Sequence, residues 1–274
     1  RGRRWRPGPR CSVTLVISVA NRKGGVAKTT TALSLGAALV ENRQEVLLVD
    51  LDPQANLTLS MGVAPASLER TMADVLLGTM PLGELTRETS LPGLDLAPAN
   101  HELLLAERFL AVRDNYEVLL EQALSGVSGY DVILVDCPPA LGPLVQTALT
   151  AAQLLIIPTQ CEYFSAHALR SVLDLVRDVR QRTNPHLRYR LLLTMFDRRN
   201  RIHRSLNDQI RRAFGRAVFN TEIESDTRLR ESVVLGQAVT QYAPDSRGAQ
   251  QYRQLAQELR QNAEETVGSP PRAA

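Results

Sequence analysis

Lysine is nearly absent from this 274-residue chain: there are 30 Arg but only two Lys, Lys23 and Lys28. A chain that uses Arg almost everywhere has kept ammonium groups at one spot. That spot asks for a compact, flexible point charge where a planar fork would not fit. Other scarcities exclude whole classes. Three Cys, an odd number with no paired ligand spacing, argue against a disulfide framework and a zinc site, and make a reducing, cytoplasmic setting the expectation. No apolar run approaches the ~18 residues that span a bilayer, and no apolar signal core opens the chain, so no membrane segment is expected. Aromatics are only 4%, but hydrophobic residues reach 44% and 32 Lys+Arg nearly balance 29 Asp+Glu, which argues against a disordered chain.

The near-balance hides an uneven spread. Residues 12–179 carry 10 basic and 19 acidic side chains, whereas residues 180–260 carry 16 Arg and 8 acids. A basic C-terminal third on an acidic body has the form of a phosphate-backbone footprint, and equally that of a solvated face. Residues 1–11 add five Arg among Gly and Pro and read as a disordered basic tail.

Short apolar runs alternate with helical patterns. Strands are expected at residues 13–20 (VTLVISVA), 45–50 (EVLLVD), 94–97, 131–136 (DVILVD), 154–157 and 190–196. Helices are expected at 29–40, 102–124, 164–182, 202–214 and 246–263. The helix at 202–214 has a stripe of Ile202, Leu206, Ile210 and Phe214, with Arg204, Arg211 and Arg212 outside it. Several strands lack polar alternation, so both of their faces should be covered. The expected fold is one α/β domain over residues 12–265, a mostly parallel twisted sheet with helices on both faces; residues 266–274 read as a disordered tail.

Between the first strand and the first helix lies NRKGGVAKTT, residues 21–30. Gly24 and Gly25 allow a tight turn whose N–H groups point at phosphate oxygens, and the helix that starts near Lys28 adds its dipole. Lys28 would lie on the terminal phosphates and Thr29 would offer its hydroxyl to Mg²⁺. Asp50 and Asp52 end one strand in VDLDPQ, and Asp136 ends another in VDCPP. Strand-end carboxylates beside such a loop suit a metal-and-water site.

The set KGGVAKTT, VLLVDLDPQAN and VILVDCPP, with PTQCEYFSAHAL and TMFD, resembles the deviant Walker A ATPases, most closely the ParA/Soj partition ATPases, over residues 13–259. The resemblance implies an ATP- and Mg²⁺-dependent ATPase working as a homodimeric ATP sandwich. Lys23 would reach across to the partner's ATP, and Lys28 would serve the nucleotide of its own chain. Gly24, Gly25, Val26, Ala27, Thr29 and Thr30 would cradle it, with Met195 and Asp197 at the TMFD strand end. Asp52 would position or activate the attacking water, Asp136 would hold Mg²⁺ through a water, and Asp50 would support the switch and count with Thr29 and Asp136 as a metal-site residue. Two positions depart from the pattern: Ala27 stands where the family usually has Gly, and Glu224 where it has a Pro that packs near the adenine.

The same resemblance implies non-specific binding of double-stranded DNA in the ATP state, a ParB/Spo0J-type centromere-binding partner, and a nucleoid-associated location in the cytoplasm. Arg199, Arg201, Arg228, Arg230, Arg247 and Arg253 are the DNA-binding expectations, Arg228 being the one most open to a structural role. A MinD-like membrane-associated ATPase of cell division is the alternative, weakened by the acids and few apolar residues of the final helical turns. Two further alternatives are a metabolic or iron–sulfur relative and a nucleotide-locked DNA-coating protein that barely hydrolyses. Four scattered His suggest no metal, and Cys137 reads as a small buried thiol.

Overall fold

A computed structural model describes residues 14–162 and 165–267. Among the described residues there are eight strands: β1 Leu15–Val19, β2 Val46–Asp50, β3 Arg87–Glu88, β4 Leu94–Ala97, β5 Val132–Asp136, β6 Leu154–Gln160, β7 Arg188–Phe196 and β8 Val218–Glu224. They form one sheet in the order β3-β4-β2-β5-β1-β6-β7-β8, parallel throughout except for β3. Parallel neighbours need crossovers, and helices supply them. These are α1 Lys28–Glu41, α2 Asn56–Ser60, α3 Met72–Leu77, α4 Leu82–Leu85, α5 Leu103–Leu110 and α6 Leu119–Ser125. The series continues with α7 Pro143–Ala151, α8 Ser165–Arg182, α9 Arg201–Phe214, α10 Thr227–Val234, α11 Val239–Tyr242 and α12 Arg247–Val267.

Uninterrupted apolar strands have a direct explanation here. Along β5, Ile133 and Val135 pack into the layer that holds Leu103 and Ala106 of α5, Leu144 and Ala148 of α7, and Val172 and Val176 of α8. Val132 and Leu134 pack into the opposite layer, with Leu33 and Ala37 of α1 and Tyr252, Leu255 and Ala256 of α12. Helix α1 lies close on the sheet: a Cβ at Gly36 would meet Leu48 Cδ2 at 3.0 Å. Register then sets the site, because Val19 and Asp50 both pair with Asp136. The carboxyl ends of β1, β2 and β5 therefore finish side by side.

Several expected bounds differ. The single helix expected at 102–124 is two, α5 and α6, divided by Asn115 at φ 57°. In α9 the inner stripe begins at Leu206: Ile202 is exposed, and Arg211 is drawn in by Glu222. Strand β8 (VFNTEIE) went unread because three polar residues interrupt it. Helix α12 continues to Val267, past the expected end at 263 and into the stretch assigned to the tail. The basic tail 1–11, Phe164 and residues 268–274 lie outside the described residues. Among the described residues no helix is long and apolar enough to cross a membrane.

Candidate active site

The turn after β1 is tied at both ends by Asn21, whose Nδ2 donates to Pro158 O (2.7 Å) while its Oδ1 accepts from Lys23 N (3.0 Å). The chain then needs left-handed backbone twice, at Gly25 (φ 71°) and at Ala27 (φ 68°). A Cβ added at Gly24 or Gly25 would meet nothing within 4 Å, so the loop faces open space. Thr194 Oγ1 on β7 donates to Val26 O at 3.1 Å and anchors the loop from behind. Ala27 is the N-cap residue of α1 and contributes no side-chain cap. The first-turn N–H groups of α1 therefore look outward for an acceptor, which is the anion-binding condition of a helix start.

Four charged groups converge below this cradle. Lys28 is buried, and burial pushes its ammonium pKa down while Asp136 and Asp52 hold it up. Its Nζ donates to Lys23 O at 3.3 Å. Asp136, 1% exposed, accepts from Thr29 Oγ1 at 2.6 Å through Oδ2, while its Oδ1 is buried with no partner. Burial raises the Asp136 pKa well above the usual carboxylate range, and the neighbouring Asp50 adds to the shift. The Asp50 pKa is pushed up to about 6, chiefly by burial. Its oxygens are already committed: Oδ1 to Asp52 N (3.0 Å), Oδ2 to Thr58 N (2.9 Å) and Thr58 Oγ1 (2.7 Å). Asp50 thus holds the β2–α2 connection in shape, and Asp52, whose Oδ1 accepts from Gln54 N at 2.9 Å, is carried by that connection.

An unpartnered carboxylate oxygen beside a hydroxyl, among buried acids, fits a divalent cation. Among the described residues no cluster of three His, Cys, Asp or Glu could hold a metal alone. A cation here would share its coordination with water and a ligand's phosphate, the habit of Mg²⁺.

Beside the cradle opens a cleft of about 410 Å³, lined by Ala27, Thr30, Met195, Glu224, Ser225 and Arg230 among others. Its size suits a nucleoside. Met195 enters it from a left-handed backbone, φ 53°. Asp197 does not line it: its carboxylate accepts from Arg199 N at 2.9 Å, in the loop that precedes α9. Glu224, at the expected proline position, is buried and bracketed by Arg198 Nε and Arg247 Nη1, both at 3.0 Å, with Gln251 Nε2 at 2.9 Å. Sequence reasoning missed Gln160, Glu162, Thr58, Thr194 and Gln251. Gln160 and Glu162 lay inside the quoted PTQCEYF stretch, but their relation to the loop needed the sheet order.

The six arginines expected on DNA fall into two groups. Arg199 pairs with Asp197, Arg228 with Glu231, Arg247 with Glu224 and Arg253 with Glu41. Arg201 and Arg230 are exposed and make no ion pair among the described residues.

A parallel sheet, a glycine-turn cradle at a helix start, a buried lysine, and an acid–hydroxyl pair at adjacent strand ends define a P-loop nucleotide-binding protein. The profile of the AAA domain family matches residues 14–189. Relatives include the sporulation initiation inhibitor protein Soj of Bacillus subtilis, 39% identical over 249 residues, covering 90% of this chain and 98% of Soj. The chromosome partitioning protein ParA of Caulobacter vibrioides is 37% identical over 248 residues, covering 89% and 93%. The chain belongs to this family of ParA/Soj-type P-loop ATPases. Among solved structures, cobyrinic acid a,c-diamide synthase from Mycobacterium smegmatis, with bound ATP analogue and magnesium, matches with TM-score 0.82 at 37% identity, over 95% of this chain and 100% of that one. The septum site-determining protein MinD of Pyrococcus horikoshii, complexed with Mg-ADP, matches with TM-score 0.74 at 25% identity, over 94% and 100%.

Proposed function

We propose that this protein is a partition-type ATPase. It binds Mg²⁺ and ATP, pairs with a second copy across the bound nucleotides, holds DNA non-specifically in that state, and lets go after slow hydrolysis stimulated by a ParB/Spo0J-type partner. Its place is the cytoplasm, on the nucleoid. The observation that carries the reading is the unpartnered buried Oδ1 of Asp136, next to the Thr29 hydroxyl and below an outward-facing cradle. Thr29 and Asp136 would hold the cation, which would neutralise phosphate charge as the γ-phosphoryl group departs. Lys28 supplies a positive charge from inside the chain, and the loop N–H groups orient the phosphates. Asp52, on the connection set by Asp50, orients the attacking water and receives its proton. The base sits in the cleft beside Met195 and Glu224.

The DNA step draws its support from the basic C-terminal third and from the relative named for chromosome partitioning. Phosphate neutralisation by arginines makes such binding fall steeply with salt.

The diamide-synthase likeness raises an amide-forming alternative; one that needed a cysteine nucleophile finds little support here. The two described cysteines are poor nucleophiles. Cys137 and Cys161 are buried, and burial raises both thiol pKa values, Cys161 to about 11.

The test is DNA binding by the purified chain with no nucleotide, ADP, ATP and a slowly hydrolysed ATP analogue, across a salt series. Binding confined to ATP and the analogue, steeply weakened by salt and lost in Lys28→Ala, is the expected result. If no nucleotide state binds DNA, the DNA step fails; liposome binding with ATP would then favour a MinD-like membrane role.

A further inference from the structure

Lys23 opens the cradle, but its side chain is held elsewhere. Its Nζ donates to Gln160 Oε1 at 2.7 Å and to Glu162 Oε2 at 2.6 Å, both at or just beyond the carboxyl end of β6. The pair is only partly shielded, with side-chain exposures of 27% for Lys23 and 52% for Glu162. Gln160 in turn donates from Nε2 to Gly25 O at 3.2 Å. The Lys23 backbone is therefore part of the cradle, its carbonyl accepting from Lys28, while its charge is parked on a neighbouring strand.

The geometry points to Glu162 as a positioning residue that keeps Lys23 in its own chain until the nucleotide of a second copy competes for it. This rests on the reading that Lys23 serves a partner's nucleotide. A triphosphate concentrates several negative charges and accepts strong charge-assisted bonds, whereas Glu162 offers one half-exposed carboxylate. The exchange favours the nucleotide once a second chain presents it, and favours Glu162 when none is present. Because an exposed ion pair is weak, Glu162 raises the threshold for pairing without blocking it.

The same contact accounts for the retained lysine. An arginine at position 23 would grip Glu162 with a two-pronged fork, and the bracket would be harder to open. An ammonium makes a single-point contact and leaves readily.

The experiment is sedimentation velocity over a concentration series, with Mg²⁺ and a slowly hydrolysed ATP analogue, on the full chain and on Glu162→Gln, Glu162→Ala, Lys23→Arg and the Lys23→Arg/Glu162→Gln double variant. Melting curves check folding, and having two Glu162 variants guards against one that fails to fold. Removing the carboxylate should lower the half-dimerisation concentration about two- to thirty-fold, because two exposed ion pairs open for each dimer formed. Nucleotide affinity below the dimerisation threshold should not change. Lys23→Arg should raise the threshold, and adding Glu162→Gln should restore part of it, a coupling that merely structural residues would not show. Unchanged or higher thresholds in both Glu162 variants overturn the proposal. A parent protein that stays monomeric with the analogue at every concentration overturns the cross-chain reading beneath it, and the proposal falls with that reading.

Discussion

The carboxyl ends of β1, β2 and β5 and the surface of the C-terminal third handle charge in opposite ways. At the strand ends, Lys28, Asp50, Asp52 and Asp136 are all buried and Asp136 keeps an unsatisfied oxygen. Across the C-terminal third all six expected DNA arginines are at least partly exposed, and four of them already have an acidic partner. Buried charge is costly unless a ligand or ion completes it, so each residue there should matter greatly. Exposed charge is individually weak and acts by summation. An acidic partner also makes a basic residue a poorer polyanion contact, so counting arginines overstates the footprint.

The sharpest contrast comes from Lys28→Ala. It removes the only buried cation among four converging charges, and ATP turnover should fall by at least about 100-fold, the scale for losing one preorganised group that stabilises developing charge. Nucleotide titration and phosphate release would check it. Near-normal turnover would mean that the cradle is not where phosphate binds.

A smaller effect separates the regions by pH. The folded pKa of Asp50, about 6, lies above its ordinary value of 3.8, and that of Asp136 is raised as well. Between those values the folded chain keeps protons that the unfolded chain has lost, so the nucleotide-free protein loses stability from this source as pH rises from about 4 to about 6. Asp136→Asn removes the Asp136 part of that loss and leaves the Asp50 part in place. It should therefore raise Tm relative to the parent at about pH 7, and less or not at all at about pH 4, while abolishing Mg²⁺-dependent turnover. Equal Tm differences at both pH values would show that Asp136 is not a raised-pKa carboxyl.

Ala27→Gly should have a milder effect. Its φ of 68° places an L side chain in left-handed backbone. Glycine also raises the entropy of the unfolded chain, which offsets part of the relief, so the net gain should be at most about 1 kcal/mol, or ~2–4 °C in Tm for a chain of this length. Nucleotide affinity should rise a few-fold. Unchanged melting and affinity would mean that the loop absorbs the strain.

The same contrast decided how far the sequence could be read. The cradle, the strand-end acids and the central strands were legible because phosphate chemistry needs fixed residue types at fixed spacing, and doubly covered strands are continuously apolar. The break at Asn115 was not legible, since the leucines on either side keep a helical period across it. Glu162 and Gln251 were invisible because their partners lie 139 and 27 residues away and meet only when the strands order as they do. Nor could arginine counting distinguish Arg253, held by Glu41, from Arg201, which makes no ion pair among the described residues.

That last pair gives the smallest and most discriminating test. Arg253 Nε and Nη2 lie 2.6 and 3.0 Å from the Glu41 carboxylate, joining α12 to α1. Arg253→Ala should lose a partly exposed ion pair, about 0.2–1 kcal/mol of stability, with little change in the salt dependence of DNA binding. Arg201→Ala should leave stability untouched and reduce the slope of log affinity against log salt by about one, as expected for a lost phosphate contact. If Arg253→Ala reduces the slope as much as Arg201→Ala does, the Glu41 pair opens on DNA, and pairing in the free chain does not identify which arginines DNA uses.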